Sequence, residues 1–246
     1  LASSASQIPI TAIINANNGP GSGGPNADYV VGMSELAGKV TTIGYVHTGF
    51  GARDISTVKA EIDEWAGHWV SHGLSGIFID EMSTETSTLS YYEELYAYIL
   101  SKPGLEEVHG NPGMSSEEAF VSAPATTSLV ISENYMSEWP SYSTDSWVNE
   151  YDASRFSMLV HTASTISEMQ TAIDLAVQRN IGLLYVTDDA MPNPWDMLPT
   201  YWQEKVKYIK SLNQGNDSEE PTFTDIDTNG DGCISEEEFD NASDGN

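Results

Sequence analysis

The sequence predicts an α/β protein, specifically a (β/α)8 TIM-type barrel followed by a short C-terminal EF-hand-like calcium loop. Short apolar runs rich in β-branched residues alternate with helical patterns, as expected for parallel strands that are covered on both faces. Seven such strand–helix units can be counted, which favours a barrel over an open doubly wound sheet. The length of 246 residues accommodates one such domain and a small appendage.

The predicted elements lie within residues 1–212, which we assign to the barrel domain. Residues 55–72 carry the clearest helical pattern, because Val58, Ile62 and Trp65 recur at three- and four-residue spacing. An eighth strand has no evident position, and the glycine-rich residues 18–25 predict a wide loop rather than a dinucleotide-binding turn. The predicted strands are 10–14, 42–46, 76–79, 108–110, 128–132, 157–160 and 182–186, and the other predicted helices are 90–101, 166–179 and 196–212.

The composition excludes several classes of partner. The chain has 9 Lys and Arg against 37 Asp and Glu, a formal net charge of −28, and such a surface repels nucleic acid and anionic membranes. No apolar run approaches the roughly 18–20 residues of a spanning helix. The single cysteine, Cys233, excludes an internal disulfide framework and a cysteine-based zinc site. The small, polar residues 1–7 predict a mature N-terminus left by signal removal, and hence a secreted, extracellular protein.

Polar side chains follow each predicted strand. The carboxyl ends of the strands form the active site of a parallel barrel, and amides, carboxylates, His and Tyr at these ends predict a carbohydrate-sized polar pocket. The spacing of His47, His109 and His161 resembles no zinc site, so we expect hydrogen bonds to substrate or backbone. Asp188 and Asp189 could bind sugar hydroxyls, hold a cation or cap the following turn. The candidate substrate-binding residues are Asn15, Asn17, Tyr45, His47, Asn111, Tyr135, His161, Tyr185, Asp188, Asp189 and Trp195.

Two of these strand ends carry carboxylates directly after an apolar run, Asp80 with Glu81 and, on a later strand, Glu133. Glycoside hydrolysis requires a proton donor and a second carboxylate that attacks the sugar or activates water. Successive strand residues point to opposite faces, so Asp80 and Glu81 can both face the barrel axis only if the strand has already bent. The alternative is that these acids cap the next helix or pair with an arginine.

Several segments between about Ile8 and Leu212 occur in the order found in a known family. They are IPITAIIN at 8–15, NGPG at 18–21, IGYV at 43–46, TG at 48–49 with Arg53, GIFIDE at 76–81, Tyr91 and Tyr92, NPG at 111–113, NPWD at 193–196, LP at 198–199 and YW at 201–202. With these segments the chain resembles the spherulin-4-like proteins, the group that contains glycoside hydrolase family 135. The resemblance implies a barrel hydrolase, endo-acting on α-1,4-linked galactosamine or N-acetylgalactosamine polymers of microbial exopolysaccharide.

The resemblance also implies roles for the acids. By similarity to the related family 114, Asp80 is implied to be the nucleophile and Glu133 the acid/base, with Glu81 tuning both and no cofactor required for catalysis. A retaining mechanism places the two carboxyls roughly 5–5.5 Å apart, and an inverting one about 6.5–9.5 Å. A negative cleft would also suit a partly deacetylated, polycationic polymer. Two alternatives stay open: a carbohydrate-binding or matrix protein without turnover, and a barrel hydrolase of another α-glycan.

The composition changes after Leu212, and there is no Lys or Arg from residue 213 onward. We interpret residues 213–224 as an acidic linker and residues 225–246 as an EF-hand-like segment that binds Ca²⁺. The alternative is a solvated acidic tail. Because an unpaired EF-hand cannot bury its own apolar residues, Ile226, Ile234 and Phe239 are expected to dock on the barrel or on another protein. The predicted ligands are side chains of Asp227, Asn229, Asp231, Ser235 and Glu238 and the backbone carbonyl of Cys233.

Overall fold

The computed structural model describes residues 1–216. Its seven strands form one parallel sheet in which each strand pairs with the next one along the chain. The predicted α/β class and the seven predicted strands are therefore confirmed, and residues 1–216 contain no eighth strand. The strands are β1 (Thr11–Ile14), β2 (Thr41–His47), β3 (Leu74–Asp80), β4 (Glu107–Gly110), β5 (Ser128–Tyr135), β6 (Phe156–His161) and β7 (Leu183–Val186).

Helices connect most of the strands, as parallel pairing requires. One of them was not predicted: α1 begins after the glycine-rich loop, where the side chain of Asn26 accepts hydrogen bonds from the amides of Asp28 and Tyr29. Met33 is its only buried residue, so the sequence carries little helical periodicity there. The helices are α1 (Ala27–Leu36), α2 (Ile55–His68), α3 (Leu89–Leu100), α4 (Ala119–Ser122), α5 (Ile166–Gln178) and α6 (Trp202–Asn216).

Helix α2 packs closely on β2 and so holds the strand that carries Tyr45. Trp65 of α2 is fully buried, and its indole nitrogen donates a 2.9 Å hydrogen bond to the carbonyl of Tyr45. Gly44 makes this approach possible, because a Cβ at that position would lie 2.5 Å from the Trp65 ring. The lack of a side chain at Gly44 thus allows α2 to pack directly on β2, the strand that carries Tyr45.

The C-terminal helix differs from its predicted bounds at both ends. It begins at Trp202 instead of residue 196, because the residue before Pro199 is disfavoured in helical conformation. It continues to Asn216 and so includes residues 213–216 of the predicted linker. Residues Leu1–Val206 form one compact unit. The rest of the linker and the predicted calcium loop lie outside the described residues, and within those residues no helix has the length and apolarity that crossing a membrane requires.

Candidate active site

Asp80 and Glu133 meet through a single side chain, Asn111. The three residues belong to the carboxyl ends of the adjacent strands β3, β4 and β5. The amide nitrogen Nδ2 of Asn111 donates a 2.8 Å hydrogen bond to Oδ1 of Asp80 and another of 2.8 Å to Oε2 of Glu133. Because both oxygens contact one nitrogen, they can be separated by no more than twice that distance.

Backbone contacts fix the orientation of the Asn111 amide. Its oxygen Oδ1 accepts a 2.9 Å hydrogen bond from the backbone amide of Gly113, so the nitrogen must face the two carboxylates. Gly113 has a φ of +71°. The turn requires this backbone conformation, which residues other than glycine rarely adopt. The backbone amide of Glu133 in turn donates to the carbonyl of Gly113 at 2.9 Å. The loop after β4 therefore holds both Asn111 and Glu133, and Gly113 is a supporting residue whose role the sequence analysis missed.

The pairing of β5 with β6 contains a one-residue irregularity that determines where Glu133 points. Val130 pairs with Ser157, but Ser132 pairs with the next residue, Met158, which leaves Ile131 as the extra residue of a bulge. A bulge redirects the side chains that follow it. Beyond it, β5 continues through Glu133 to Tyr135, although the sequence predicted that the strand ends at residue 132.

The surroundings of Glu133 strengthen its hold on a proton. Burial raises the pKa of Glu133, and the negative charge of Asp80 raises it further, while hydrogen bonds from Asn111 and Trp195 act in the opposite direction. Asp80 accepts a second hydrogen bond at Oδ2, from the Tyr45 hydroxyl at 2.7 Å. Burial and the neighbouring carboxylates raise the pKa of Tyr45 far above its ordinary value, so the phenol keeps its proton and remains a donor. The site therefore favours the protonated form of Glu133.

Glu81 leaves the strand instead of continuing its alternation. β3 ends at Asp80, and Glu81 has a φ of +49°, an uncommon conformation for a residue with a side chain. This is the bend that the sequence analysis required if both acids were to face the site. The Glu81 carboxylate lies 3.2 Å from Nδ1 of His47. Its backbone carbonyl accepts hydrogen bonds from the hydroxyl of Thr48 and the amide of Phe50, both at 2.7 Å.

Four aromatic side chains, Tyr135, His161, Trp195 and Tyr185, form a continuous wall beside Glu133, which we call the aromatic wall. Successive ring centroids are 4.2, 5.6 and 6.1 Å apart. His161 is buried, burial lowers its pKa, and its Nδ1 has no hydrogen-bond partner within residues 1–216. Tyr135 is 45% exposed, so the wall offers an aromatic face to solvent. All four were predicted as substrate-binding residues.

The predicted asparagines after β1 and the histidine of β4 form other contacts. Oδ1 of Asn15 accepts a 3.0 Å hydrogen bond from the amide of Gly19 and closes a turn of the glycine-rich loop, while Asn17 is exposed. His109 lies within β4, where its two ring nitrogens contact Glu107 at 2.9 Å and Ser128 at 2.6 Å. These contacts place Asn15 and His109 in the support of the strands and loops.

Asp188 and Asp189 accept hydrogen bonds within the loops that follow β6 and β7. Asp188 accepts hydrogen bonds from the backbone amide of Thr200, at 3.0 Å, and from its hydroxyl. The Asp189 side chain accepts from the amide of Ala190 at 2.8 Å, and its carbonyl accepts from the amide of Thr162 at 2.9 Å. Of the three roles considered for this pair, capping of turns is the one that has direct contacts in the described residues.

Comparison with known proteins gives the family. A family model described as spherulation-specific family 4 matches residues 1–209. Spherulin-4 of Physarum polycephalum is 33% identical over 215 residues, and the match covers 84% of this chain but only 64% of that protein. The crystal structure of Aspergillus clavatus Sph3 in complex with GalNAc has a similar fold, with a TM-score of 0.72 and 22% identity over 82% of this chain and 86% of that one. The chain belongs to spherulation-specific family 4, the spherulin-4 family that its strand-end segments resemble.

Proposed function

We propose that this protein is a glycoside hydrolase that cleaves an α-1,4-linked galactosamine or N-acetylgalactosamine polysaccharide. The observation that carries this proposal is the contact of one amide nitrogen, Asn111 Nδ2, with both Asp80 and Glu133. Two carboxylates at this separation, one of them with a raised pKa, are the machinery of glycoside hydrolysis. The sugar class is supported by the GalNAc bound to the Sph3 relative, whose fold this chain shares.

The geometry supports a retaining mechanism. Oδ1 of Asp80 and Oε2 of Glu133 are at most twice 2.8 Å apart, which is compatible with the roughly 5–5.5 Å between the carboxyl groups of retaining enzymes. In a retaining enzyme one carboxylate attacks the sugar directly, so the two carboxyl groups need not leave room for a water molecule.

Each acid then has one role in the proposed reaction. An oxygen of Asp80 attacks the anomeric carbon, the glycosidic C–O bond breaks, and Glu133 donates its proton to the departing oxygen. Water then attacks the sugar bound to Asp80 and releases it, while Glu133 takes the proton of that water and returns to its starting state. Tyr45 and Asn111 donate hydrogen bonds that hold the Asp80 carboxylate in position throughout.

Release of reducing ends from partly and fully acetylated α-1,4-galactosaminan tests the proposal. Asp80→Asn and Glu133→Gln are each expected to lower kcat by at least about 1,000-fold, because each removes a group that reacts. Asp63→Asn is the matched control: Asp63 also accepts a tyrosine hydroxyl, that of Tyr98, but on helix α2. Equal activity of wild type, Asp80→Asn and Glu133→Gln would contradict the proposal. The anomeric configuration of the first product, followed by NMR, distinguishes retention from inversion.

A carbohydrate-binding protein without turnover is a second candidate, because the exposed Tyr135 face of the aromatic wall would bind a sugar ring in either case. The same assay separates the two. Binding of the polysaccharide without release of any reducing end identifies a binding protein, and hydrolysis of a different α-glycan identifies another substrate.

We also propose, from its sequence motif, that the loop at residues 227–238 binds Ca²⁺. Calorimetric titration of the full chain should show one saturable calcium site that is lost in Glu238→Gln, since Glu238 occupies the bidentate position 12. The absence of saturable binding would leave a solvated acidic tail.

The proposed substrate, an exopolysaccharide, further favours an extracellular location. Immunoblotting of the culture medium and of the cells of the native host tests this location.

A further inference from the structure

Lys205, in the first turn of α6, is a buried cation that the proposed reaction does not use. Its side chain is only 1% exposed, and among the residues that the structure describes it forms no ion pair with a carboxylate. Burial disfavours the charged form of an unpaired amine, and it lowers the pKa of Lys205 to about 7. An apolar side chain of similar length would avoid this cost, so the presence of a lysine here indicates a use for its charge.

The amine of Lys205 meets the backbone on the open side of β7. Its Nζ donates a 3.1 Å hydrogen bond to the carbonyl of Val186. The next residue, Thr187, directs both its amide and its carbonyl towards β6, where they bond Val160 and Ala163. Because the backbone groups of successive strand residues face opposite sides, the Val186 carbonyl faces away from β6, where the described part of the chain has no further strand. The lysine therefore supplies a donor to a buried carbonyl that no neighbouring strand satisfies.

The same amine lies over two aromatic rings. Nζ of Lys205 is 4.3 Å from the ring centroid of Tyr185 and 4.8 Å from that of Trp202. A cation over the face of an aromatic ring is attracted by the ring, and more strongly where water is excluded. The indole nitrogen of Trp202 in turn donates to the Ser4 hydroxyl at 3.0 Å, which fixes the beginning of α6. Since Tyr185 belongs to the aromatic wall, the lysine holds one end of that wall.

Tyr185 connects this cation to the loop after β7. Its hydroxyl donates a 2.7 Å hydrogen bond to the carbonyl of Met197, and its ring contacts that of Trp195, with centroids 6.1 Å apart. Tyr185 thus holds the loop at two residues. The Trp195 side chain forms a hydrogen bond with Glu133, which lowers the pKa of that acid against the effect of burial. The position of this donor beside Glu133 therefore depends on Tyr185.

We infer that Lys205 is a positioning residue of the proposed active site. Its ammonium group holds Tyr185, which in turn fixes the loop that presents Trp195 to Glu133. Since Glu133 is the acid/base of the proposed function, this role rests on that proposal. It adds a requirement for a buried positive charge that is not itself a reacting group.

NMR of the indole N–H groups of the full-length protein tests this role without any measurement of activity. The chain has six tryptophans, and the signal that disappears in Trp195→Phe is that of Trp195. In wild type this signal should follow the ionisation of Glu133, whose pKa also depends on Asp80 and Asn111. Lys205→Met keeps the length of the side chain without its charge. We expect it to shift the Trp195 signal and to raise its titration midpoint, because a hydrogen bond that lowers the pKa of Glu133 is weakened. Lys205→Arg keeps the positive charge and should restore the midpoint towards that of wild type.

Arg179→Met is the matched control for loss of a cation. The Arg179 guanidinium lies 4.5 Å from the ring centroid of Trp139 and donates to the carbonyls of Trp139 and Pro140. These contacts repeat those of Lys205, but they join the end of α5 to the connection between β5 and β6. This variant should shift the Trp139 signal and leave the Trp195 signal and its titration midpoint unchanged.

Tyr185→Phe keeps the proposal testable if Lys205→Met does not fold. It removes only the hydroxyl that bonds the Met197 carbonyl and leaves the ring beneath the lysine in place. The Trp195 signal should shift in the same direction as in Lys205→Met. An unchanged Trp195 signal in Tyr185→Phe would overturn the connection between the lysine and the loop.

Kinetics on galactosaminan provide a second measurement and separate this inference from the proposed function. At pH 6, below the pKa of Lys205, Lys205→Met should lower kcat about 10-fold, because the donor to the acid/base is misplaced, and Arg179→Met should leave kcat unchanged. A wild-type Trp195 signal and titration midpoint in folded Lys205→Met would overturn the inference, even if wild type cleaves the polymer. A raised midpoint that Lys205→Arg restores would support it, even if wild type releases no reducing ends and the proposed function fails.

Discussion

The side-chain nitrogen of Asn111 lies 2.8 Å from Oε2 of Glu133, and the second hydrogen of that amide points to the other acid, Asp80. A neutral group therefore lies between the two carboxylates. A lysine or arginine there would hold both acids ionised, whereas a neutral amide leaves the charge of Asp80 free to raise the pKa of Glu133. The arrangement orients both acids and still favours a protonated Glu133, as a general acid requires.

Asn111→Ala should reduce activity and change its pH dependence. The hydrogen bond from Asn111 lowers the pKa of Glu133, so its loss raises that pKa and moves the basic limb of the kcat/KM profile to higher pH. We expect kcat to fall about 100-fold, since an oriented donor is removed from the reacting groups. Steady-state kinetics on galactosaminan oligomers across pH 4–9 measure both effects.

Asn180→Ala is a matched control for loss of an asparagine. The Asn180 amide nitrogen also donates two 2.8 Å hydrogen bonds, but to the backbone carbonyls of Val148 and Tyr151. This variant should lose stability without any movement of the basic limb. A pH profile of Asn111→Ala that coincides with that of Asn180→Ala would show that Asn111 acts only through stability.

Glu133→Gln should make the protein more stable at neutral pH while it abolishes activity. The pKa of Glu133 is raised above the ordinary glutamate value of 4.5, so the folded protein binds this proton more tightly than the unfolded chain. The folded protein therefore loses stability as pH rises from the ordinary glutamate pKa through the raised pKa of Glu133. Above the raised pKa, the full cost of burying the ionised carboxylate remains. Glutamine cannot ionise, and we expect its Tm at pH 7.5 to exceed that of wild type by about 2–4 °C.

The pH dependence of this gain is its control. The difference in Tm between Glu133→Gln and wild type should shrink below pH 4.5, where wild-type Glu133 is protonated in both states. Calorimetric scans at pH 4 and pH 7.5 measure it. A gain of the same size at both pH values would indicate better packing of glutamine and not relief of a buried charge.

Tyr45→Phe should weaken catalysis by removing the hydroxyl that donates to Asp80. We expect a fall in kcat of about 100-fold, because the nucleophile loses one of its two hydrogen-bond donors. Tyr98→Phe is the matched control, since the Tyr98 hydroxyl donates to Asp63 on the surface of α2. If both variants retain wild-type kcat, the contact between Tyr45 and Asp80 has no part in the reaction.

The strands were predictable because parallel strands buried on both faces are continuous apolar runs. Their polar ends were less so. β5 was predicted to end at residue 132 but continues to Tyr135, where Glu133, Asn134 and Tyr135 pair with β6 through their backbones. Hydropathy depends on side chains, whereas the hydrogen bonds between strands are made by the backbone. A prediction from hydropathy therefore assigns polar residues at the end of a strand to a loop. Helix α1 was missed for a related reason, since Met33 is its only buried side chain.

The candidate acids followed from their positions at strand ends, but the function of their neighbour did not. Asn111 was predicted to bind sugar, and the structure places its amide between Asp80 and Glu133. Its direction depends on the bond from the Gly113 amide. The sequence Asn-Pro-Gly contains a signal for such a turn, yet no pattern in one chain states which strand lies opposite the freed nitrogen.

Substitution of Gly44 and of Gly67 by alanine should change the free energy of unfolding in opposite directions. The comparison tests how α2 packs on β2. Gly44→Ala would place a Cβ 2.5 Å from the ring of the fully buried Trp65. The ring is held by its bond to Tyr45 and cannot move away without loss, so overpacking should cost about 1–3 kcal/mol. Gly67→Ala, in the same helix with nothing within 4 Å of its Cβ position, should stabilise by about 0.5–1 kcal/mol through helix propensity. Urea unfolding measures both, and a neutral Gly44→Ala would show that the close contact between Gly44 and Trp65 does not hold the helix against the strand.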